Sequence, residues 1–217
     1  MFLHKHPYPP YFPKGATKMI VGTLPPPRFS TGDLKPGDVN FCYGSIDGQL
    51  WPILDRLFGL GLKFETTAAA IEQRQTFLKE RGIAICDIVH AAKREKIDAS
   101  DLGMQQVQLR PLLDYLEQYS AIDTLLFTGG NSKNGPEYFF RRLVKPSGIK
   151  LEIISDEVPR IHQFQWAGRT IRTVSLTAPS GAANRAVGSL DLYKQRKAQD
   201  PTYNTLDFRI DQYRPFF

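Results

Sequence analysis

Three short runs in this chain combine residue types that let a backbone come close to a ligand. They are Gly22-Thr23-Leu24-Pro25, Gly129-Gly130-Asn131 and Ala178-Pro179-Ser180-Gly181. Each follows a strand-like segment: Met19-Ile20-Val21, Ile122 to Phe127 and Arg169 to Leu176. In a parallel sheet the carboxyl ends of strands converge on one edge, so the three runs can line a single cleft. Glycine permits close backbone approach, proline holds a loop rigid, and exposed N–H groups in such turns favour an anion or a polar heterocycle. A fourth candidate is Asp87, which interrupts the apolar run Ile83 to Val89 near its end. A charged group at the tip of a buried strand is either a loop anchor or helix cap, or a site residue.

The elements that must position these residues are readable from periodicity. After the first run comes a polar loop punctuated by Gly and Pro. An amphipathic helix follows, with Leu50, Ile53, Leu54, Leu57 and Phe58 at helical spacing, and with Pro52 and Trp51 in its first turn. Trp51 is expected in the core. Glu65 to Arg81 reads as a helix stopped by Gly82, and Val107 to Tyr119 as another. Pro136 opens a further helix, Lys150 to Ile154 is a strand, and Leu192 to Ala198 is a short basic helix. The near-continuous apolar character of Ile83 to Val89 marks a strand buried on both faces. Alternation of strand and helix predicts an α/β fold: a single three-layer α/β/α domain over residues 1–217 with a central, mostly parallel sheet. Residues 1–17 form an arm. Prolines 7, 9, 10 and 13 forbid a helix there, so the arm should be extended and pack its aromatics on the body. The tail from Asn204 to Phe217 should also pack back, and the mixed run Lys93 to Asp98 reads as a solvated face.

Composition narrows the function classes. The chain has 217 residues, with 41% hydrophobic and 23% charged content, which is that of an ordinary globular protein with an adequate core. A formal net charge of +6 and a pI of about 9.3 are compatible with a polyanionic partner. Two cysteines, Cys42 and Cys86, exclude a four-cysteine zinc or iron–sulfur site. With no apolar signal region and no stretch of transmembrane length, the expected location is cytoplasmic. His4 and His6 flank Lys5 but lack neighbouring Cys or carboxylate ligands, so no metal is expected there.

Known catalytic signatures fit poorly. Gly130 to Gly135 has the glycine spacing of a phosphate-binding loop, but Pro136-Glu137 stands where Lys-Ser/Thr is required. No Gly-x-Gly-x-x-Gly follows the first strand. Pro179-Ser180-Gly181 is not a nucleophile elbow. Residue types alone lead to an α/β enzyme or binding protein with a rigid, backbone-lined pocket.

Gly22-Thr23-Leu24-Pro25 and Ala178-Pro179-Ser180-Gly181-Ala182-Ala183-Asn184-Arg185 together resemble the two signature motifs of the uracil-DNA glycosylase superfamily. The hypoxanthine branch is the closer look-alike: Tyr43-Gly44-Ser45-Ile46-Asp47-Gly48-Gln49-Leu50-Trp51 occupies the place of its Tyr-x-His-Pro-Arg-Asn-x-Phe-Trp segment. Gly82 to Val89 is similar to that branch's second strand. The resemblance, from Met19 to Arg185, implies hydrolysis of the N-glycosidic bond of a deaminated base in DNA, without metal or cofactor. Such a base is flipped out, stacked on an aromatic side chain and read along its polar edge. The implied roles are a wall from Gly22, Thr23, Leu24 and Pro25, stacking by Tyr43 or Phe41, and an edge contact from Asn131. Asp87 and Gly48 complete the base site, and the loop Pro179, Ser180, Gly181, Ala182, Asn184, Arg185 holds the DNA open. Thr23 and Asp47 are the implied catalytic residues. The asparagine that the branch uses to position water is Gly48 here. Asp47 is the nearest polar replacement, as a water-positioning carboxylate or, more simply, the N-cap of the following helix. The groove-wedging leucine is replaced by Ala182 or Ala183. A protein of this fold that binds a nucleobase or nucleic acid without cleaving it is the alternative.

Overall fold

The structure is a computed structural model that describes residues 1–97 and 100–217. Its elements run β1 (Phe2–Lys5), β2 (Lys18–Gly22), α1 (Pro27–Thr31), α2 (Leu50–Phe58), α3 (Ala68–Glu80), β3 (Ile83–Asp87), β4 (Val89–Arg94), β5 (Gln105–Leu109) and α4 (Leu112–Gln118). They continue with β6 (Thr124–Phe127), α5 (Pro136–Val144), β7 (Glu152–Ser155), β8 (Arg160–Trp166), β9 (Arg169–Ser175), α6 (Asn184–Ser189), α7 (Asp191–Gln199) and α8 (Thr205–Tyr213).

Six strands form the central sheet in the order β3-β2-β6-β9-β8-β7. The first four are parallel, and β8 and β7 add an antiparallel extension at one edge. Successive side chains of a strand point to opposite faces, and here both faces are apolar. Met19, Val21, Leu125, Phe127 and Ile171 face α4 and α5. Ile20, Leu126 and Val174 face α2, α3 and α8. The result is the three-layer α/β/α arrangement with a mostly parallel centre that the alternation of elements implies. Trp51 is 1% exposed and donates from Nε1 to the Cys42 carbonyl at 2.9 Å, so it is a core residue. Both cysteines are buried and unlinked.

The structure departs from the sequence reading in several places. Val107 to Tyr119 is not one helix. Its first residues end β5, which pairs antiparallel with β4, and Pro111 separates it from α4. The helical spacing of Leu112 and Leu116 belongs to α4 alone. The apolar run Ile83 to Val89 bends at Ile88, so that β3 enters the central sheet while β4 leaves for a second, three-stranded sheet β1-β4-β5. The charge run at Lys93 is no simple solvated face. Arg94 is 1% exposed and donates to His4 Nδ1 at 2.9 Å, while Asp98 lies outside the described residues. Asp47 does not cap α2, whose N-cap position is Gln49. The strand β8 carries no period-2 apolar pattern strong enough to be seen in advance. The tail is ordered by α8, where Asn204 and Asp207 form a reciprocal capping box.

The arm is extended, as its prolines require, and its first residues are strand β1 on the edge of the smaller sheet. Burial, helped by the Arg94 charge, pulls His4 down to about 4, so it stays neutral in this interior position.

Leu126, fully buried in the central strand β6, tests this layering. Leu126→Ala is expected to cost about 2–5 kcal/mol, read as a lower urea midpoint at unchanged slope.

Candidate functional site

The carboxyl ends of β2, β3, β6 and β9 deliver their loops to one edge of the sheet, where they enclose a cavity of about 290 Å³. It is lined by Thr23 to Pro26, by Tyr43 to Ser45 and Asp47 to Leu50, by Asp87, Asp101 and Thr128, and by Ala178 to Ser180 with Ala182. This lies near the lower end of small-molecule sites and suits one flat ring system. The depression beside α3, lined by Leu60, Lys63 and Gln73 among others, has only exposed ionisable groups in its lining.

Close packing at Gly22 makes the floor. A Cβ at this position would stand 2.1 Å from the Tyr43 hydroxyl and 2.6 Å from Asp87 Oδ1, so only glycine fits. Tyr43 reaches this place from a left-handed backbone position (φ 56°) and its hydroxyl lies 3.0 Å from Thr128 Oγ1. Burial, with the Asp87 charge next in effect, pushes the Tyr43 phenol well above its ordinary range. It therefore remains a neutral hydrogen-bonding group. Asp87 is 6% exposed. Its Oδ2 is 2.8 Å from His6 Nε2, while Oδ1 is buried with no hydrogen-bond partner among the described residues.

Asp101 forms part of the wall. Thr23 Oγ1 donates to its Oδ2 at 2.9 Å, and Asn134 Nδ2 holds its main-chain carbonyl at 2.8 Å. Burial pushes the Asp101 carboxyl up to about 6, opposed by the Thr23 hydroxyl. Asp47 is at the rim, exposed, with Oδ2 3.2 Å from Arg28 and 3.5 Å from Lys35. The loop beneath it is fixed by Asp38, which is buried and accepts from Arg28 and from the backbone N–H groups of Lys35 and Ile46. Those donors outweigh burial, which acts the other way, and hold Asp38 at about 2.

The opposite wall is the loop after β9, which α8 grips from behind. Arg209, fully buried, donates to the carbonyls of Ala178 (2.8 Å) and Ser180 (3.0 Å) and to Asn184 Oδ1 (3.0 Å). Gln212 accepts from Thr177 N–H and Tyr213 donates to the Thr177 carbonyl, each at 2.8 Å. The two signature-like loops also join directly: Gln49 N–H donates to the Pro179 carbonyl at 2.8 Å, and Gly48 bridges Ser180. A Cβ at Gly48 would lie 3.1 Å from the Ser45 carbonyl, a tight contact that a small shift of the loop relieves.

The cavity thus brings together Thr23, Leu24, Pro25, Tyr43, Asp47, Gly48, Asp87, Pro179, Ser180 and Ala182, with Gly22 beneath. It does not include Asn131, which is exposed; Thr128 is the residue of that loop that reaches the cavity. Phe41 is in the core against Tyr11 and Trp51 and offers no stacking face. Asn184 turns inward to Arg209 and Thr205, while Gly181 and Arg185 are exposed. Sequence reasoning missed Asp101, His6 and Arg209. Arg209 gives no signal in the sequence beyond a charge within an aromatic tail, and His6 reads there only as a candidate metal ligand. The cavity offers a neutral phenol, hydroxyls, the buried Asp87 and half-buried Asp101 carboxylates and backbone walls, which suit a polar heterocycle carrying N–H groups.

No family model matches the chain and no curated protein matches it. Among solved structures, the chain is similar to the solution NMR structure of "a putative Uracil DNA glycosylase from Methanosarcina acetivorans". The TM-score is 0.55 at 15% identity, over 96% of this chain and 99% of that one. The two share a fold. Among the described residues, no helix is long and apolar enough to cross a membrane.

Two measurements probe this geometry. Asp101 has a folded value near 6, above the ordinary aspartate range, so folding favours its protonated form. That stability is complete below about pH 4 and is lost as pH rises through 6. Asp101→Asn is expected to raise stability at pH 7.5 by about 1–2 kcal/mol, allowing for partial solvent screening, and by much less at pH 4.5. Thermal melts at the two pH values read this, and equal shifts would contradict it. Gly22→Ala is expected to destabilise the fold by about 1–3 kcal/mol through overpacking, with loss of any ligand bound in the cavity.

Proposed function

We propose that this protein is a DNA glycosylase-like member of the uracil-DNA glycosylase superfamily. It hydrolyses the N-glycosidic bond of a deaminated base, uracil or hypoxanthine, in single- or double-stranded DNA. One observation carries the reading: the loops of β2, β6 and β9, which bear the motif-like residues, converge on a nucleobase-sized cavity with the buried Asp87 carboxylate at its floor and the half-buried Asp101 in its wall. The shared fold with the Methanosarcina protein is in keeping with it.

In this reading the base enters between the backbone walls and meets Tyr43, Thr128 and Asp87. Water attacks the anomeric carbon as the C–N bond breaks. The base departs with the bonding electron pair, and the water's proton passes to a carboxylate. Asp47 at the rim has its oxygen engaged by Arg28 and Lys35, so we assign the water-facing carboxylate to Asp87. Asp101, with its value near 6, and Thr23 border the departing base. The exposed residues Gly181, Ala182 and Arg185 face the DNA.

A second reading, a catalytically silent nucleobase or nucleic-acid binder on this fold, is favoured by Gly48, which has no side chain to position water. Labelled oligonucleotides carrying uracil, hypoxanthine or xanthine separate the two, by alkali cleavage at abasic sites. Scission by the wild type is expected, with a loss of about 10²–10⁴-fold in Asp87→Asn and a change of no more than about threefold in Asp47→Ala, as for a screened surface charge. Salt-sensitive binding without scission would establish the silent binder.

A further inference from the structure

The arm over residues 1–17 has no role in the chemistry just described, yet it is tied down along its length. His6 N–H donates to the His90 carbonyl at 2.8 Å, and Tyr11 exchanges two main-chain bonds with Ile85 at 3.0 Å each. Arg110 donates to the Tyr8 carbonyl at 2.8 Å, and the Tyr8 hydroxyl donates to Asn40 at 2.7 Å. Pro7, Pro9 and Pro10 reduce the entropy lost in ordering it. This anchoring delivers one ionisable side chain to the cavity floor, that of His6, whose ring is 6% exposed as a residue and lies behind Asp87.

The hydrogen bonds define the tautomer. Tyr8 N–H donates to His6 Nδ1 at 3.1 Å, so that nitrogen is an acceptor and the proton of the neutral ring is on Nε2. Nε2–H then donates to Asp87 Oδ2 at 2.8 Å. A pair serving only to anchor the arm would leave no reason for the other carboxylate oxygen to stay unpartnered, since an unsatisfied buried acceptor costs free energy. Oδ1 does stay so, between Gly22 and Tyr43 at the cavity floor.

We propose that the N-terminal arm is part of the site and that His6 is a positioning residue, which fixes Asp87 through Oδ2 so that Oδ1 is presented to a water or to an N–H of the bound base. The same logic orients carboxylates and imidazoles in other sites: the group behind the reacting one sets its angle and its free lone pair. The proposal deepens the glycosylase reading and rests on it for the nature of the ligand.

The test compares wild type, His6→Leu and His6→Gln, whose terminal amide can restore the N–H at the Nε2 position. Single-turnover release of uracil or hypoxanthine from oligonucleotides is measured alongside affinity for the same DNA. His6→Leu is expected to lower the rate at least tenfold with affinity within about twofold, and His6→Gln to recover most of the rate. A His6→Leu rate within twofold of wild type overturns the proposal, as does a folded His6→Gln no better than His6→Leu. If the wild type releases no base, the glycosylase reading fails, and the role of His6 is read from equilibrium binding of free uracil and hypoxanthine. At least a fivefold weakening in His6→Leu supports the proposal; equal binding, or none in wild type, overturns it. Should His6→Leu not fold, the ring ¹⁵N resonances of wild-type His6 are followed as free base is added. Movement from an Nε2–H position supports the proposal, and no movement overturns it.

Discussion

The site depends on the absence of a single Cβ. At Gly22 the end of β2 leaves room for the Tyr43 hydroxyl and the Asp87 carboxylate to approach the backbone, where a Cβ would stand within 3 Å of both. That close approach joins three segments distant in sequence. Tyr43 continues to Thr128 at the end of β6, and Asp87 continues to His6 in the arm. A parallel sheet provides the edge on which this happens, because its strands bring their carboxyl ends together. The glycine turns a set of neighbouring loops into one floor.

Around that floor, charge is used for placement. Asp38, Asp101 and Glu137 all lie on loops or helix starts bordering the sheet edge, and each has its own donors. Asp38 takes Arg28 and two backbone N–H groups. Glu137, fully buried, takes Ser175, Arg141 and Arg160. Buried carboxylates paired in this way hold geometry at an energetic cost rather than adding much net stability. Arg209 does the converse, with a buried guanidinium spread over two carbonyls of the loop after β9 and Asn184 Oδ1 at the start of α6. Asp87 differs from all of these in having one oxygen satisfied and one left over, which is the expected state of a group that meets a ligand.

Much of the architecture was legible in the chain. The strands β2 and β6 are legible as apolar runs that end in Gly-containing turns, β3 as a near-continuous apolar run, β9 by the Pro/Gly loop that follows it, and α2 by its apolar spacing. The failures have physical causes. The segment Gln105–Leu109 alternates Gln with apolar residues over too few positions to outweigh the helical spacing that follows, so strand and helix merged into one. Ile83 to Val89 was read as one strand because a bend at Ile88 changes no residue type. At the site, the loop residues nearest the sheet were readable because glycine and proline mark them. Asn131 was misplaced since a loop's direction after its glycines depends on tertiary contacts, here the insertion of Asn134 beneath Asp101. Arg209 and His6 could not be found from local pattern. Each acts across more than twenty residues of chain, and only packing reveals what it touches.

The central claim is that the cavity over Gly22 receives a nucleobase, and amide resonances report on it directly. In a ¹H–¹⁵N titration with free uracil or hypoxanthine, the account predicts saturable shifts confined to Thr23, Tyr43 to Gln49, Asp87, Asp101, Thr128 and Ala178 to Ala182. Shifts centred on the groove beside α3, or none at all with either base, would contradict it.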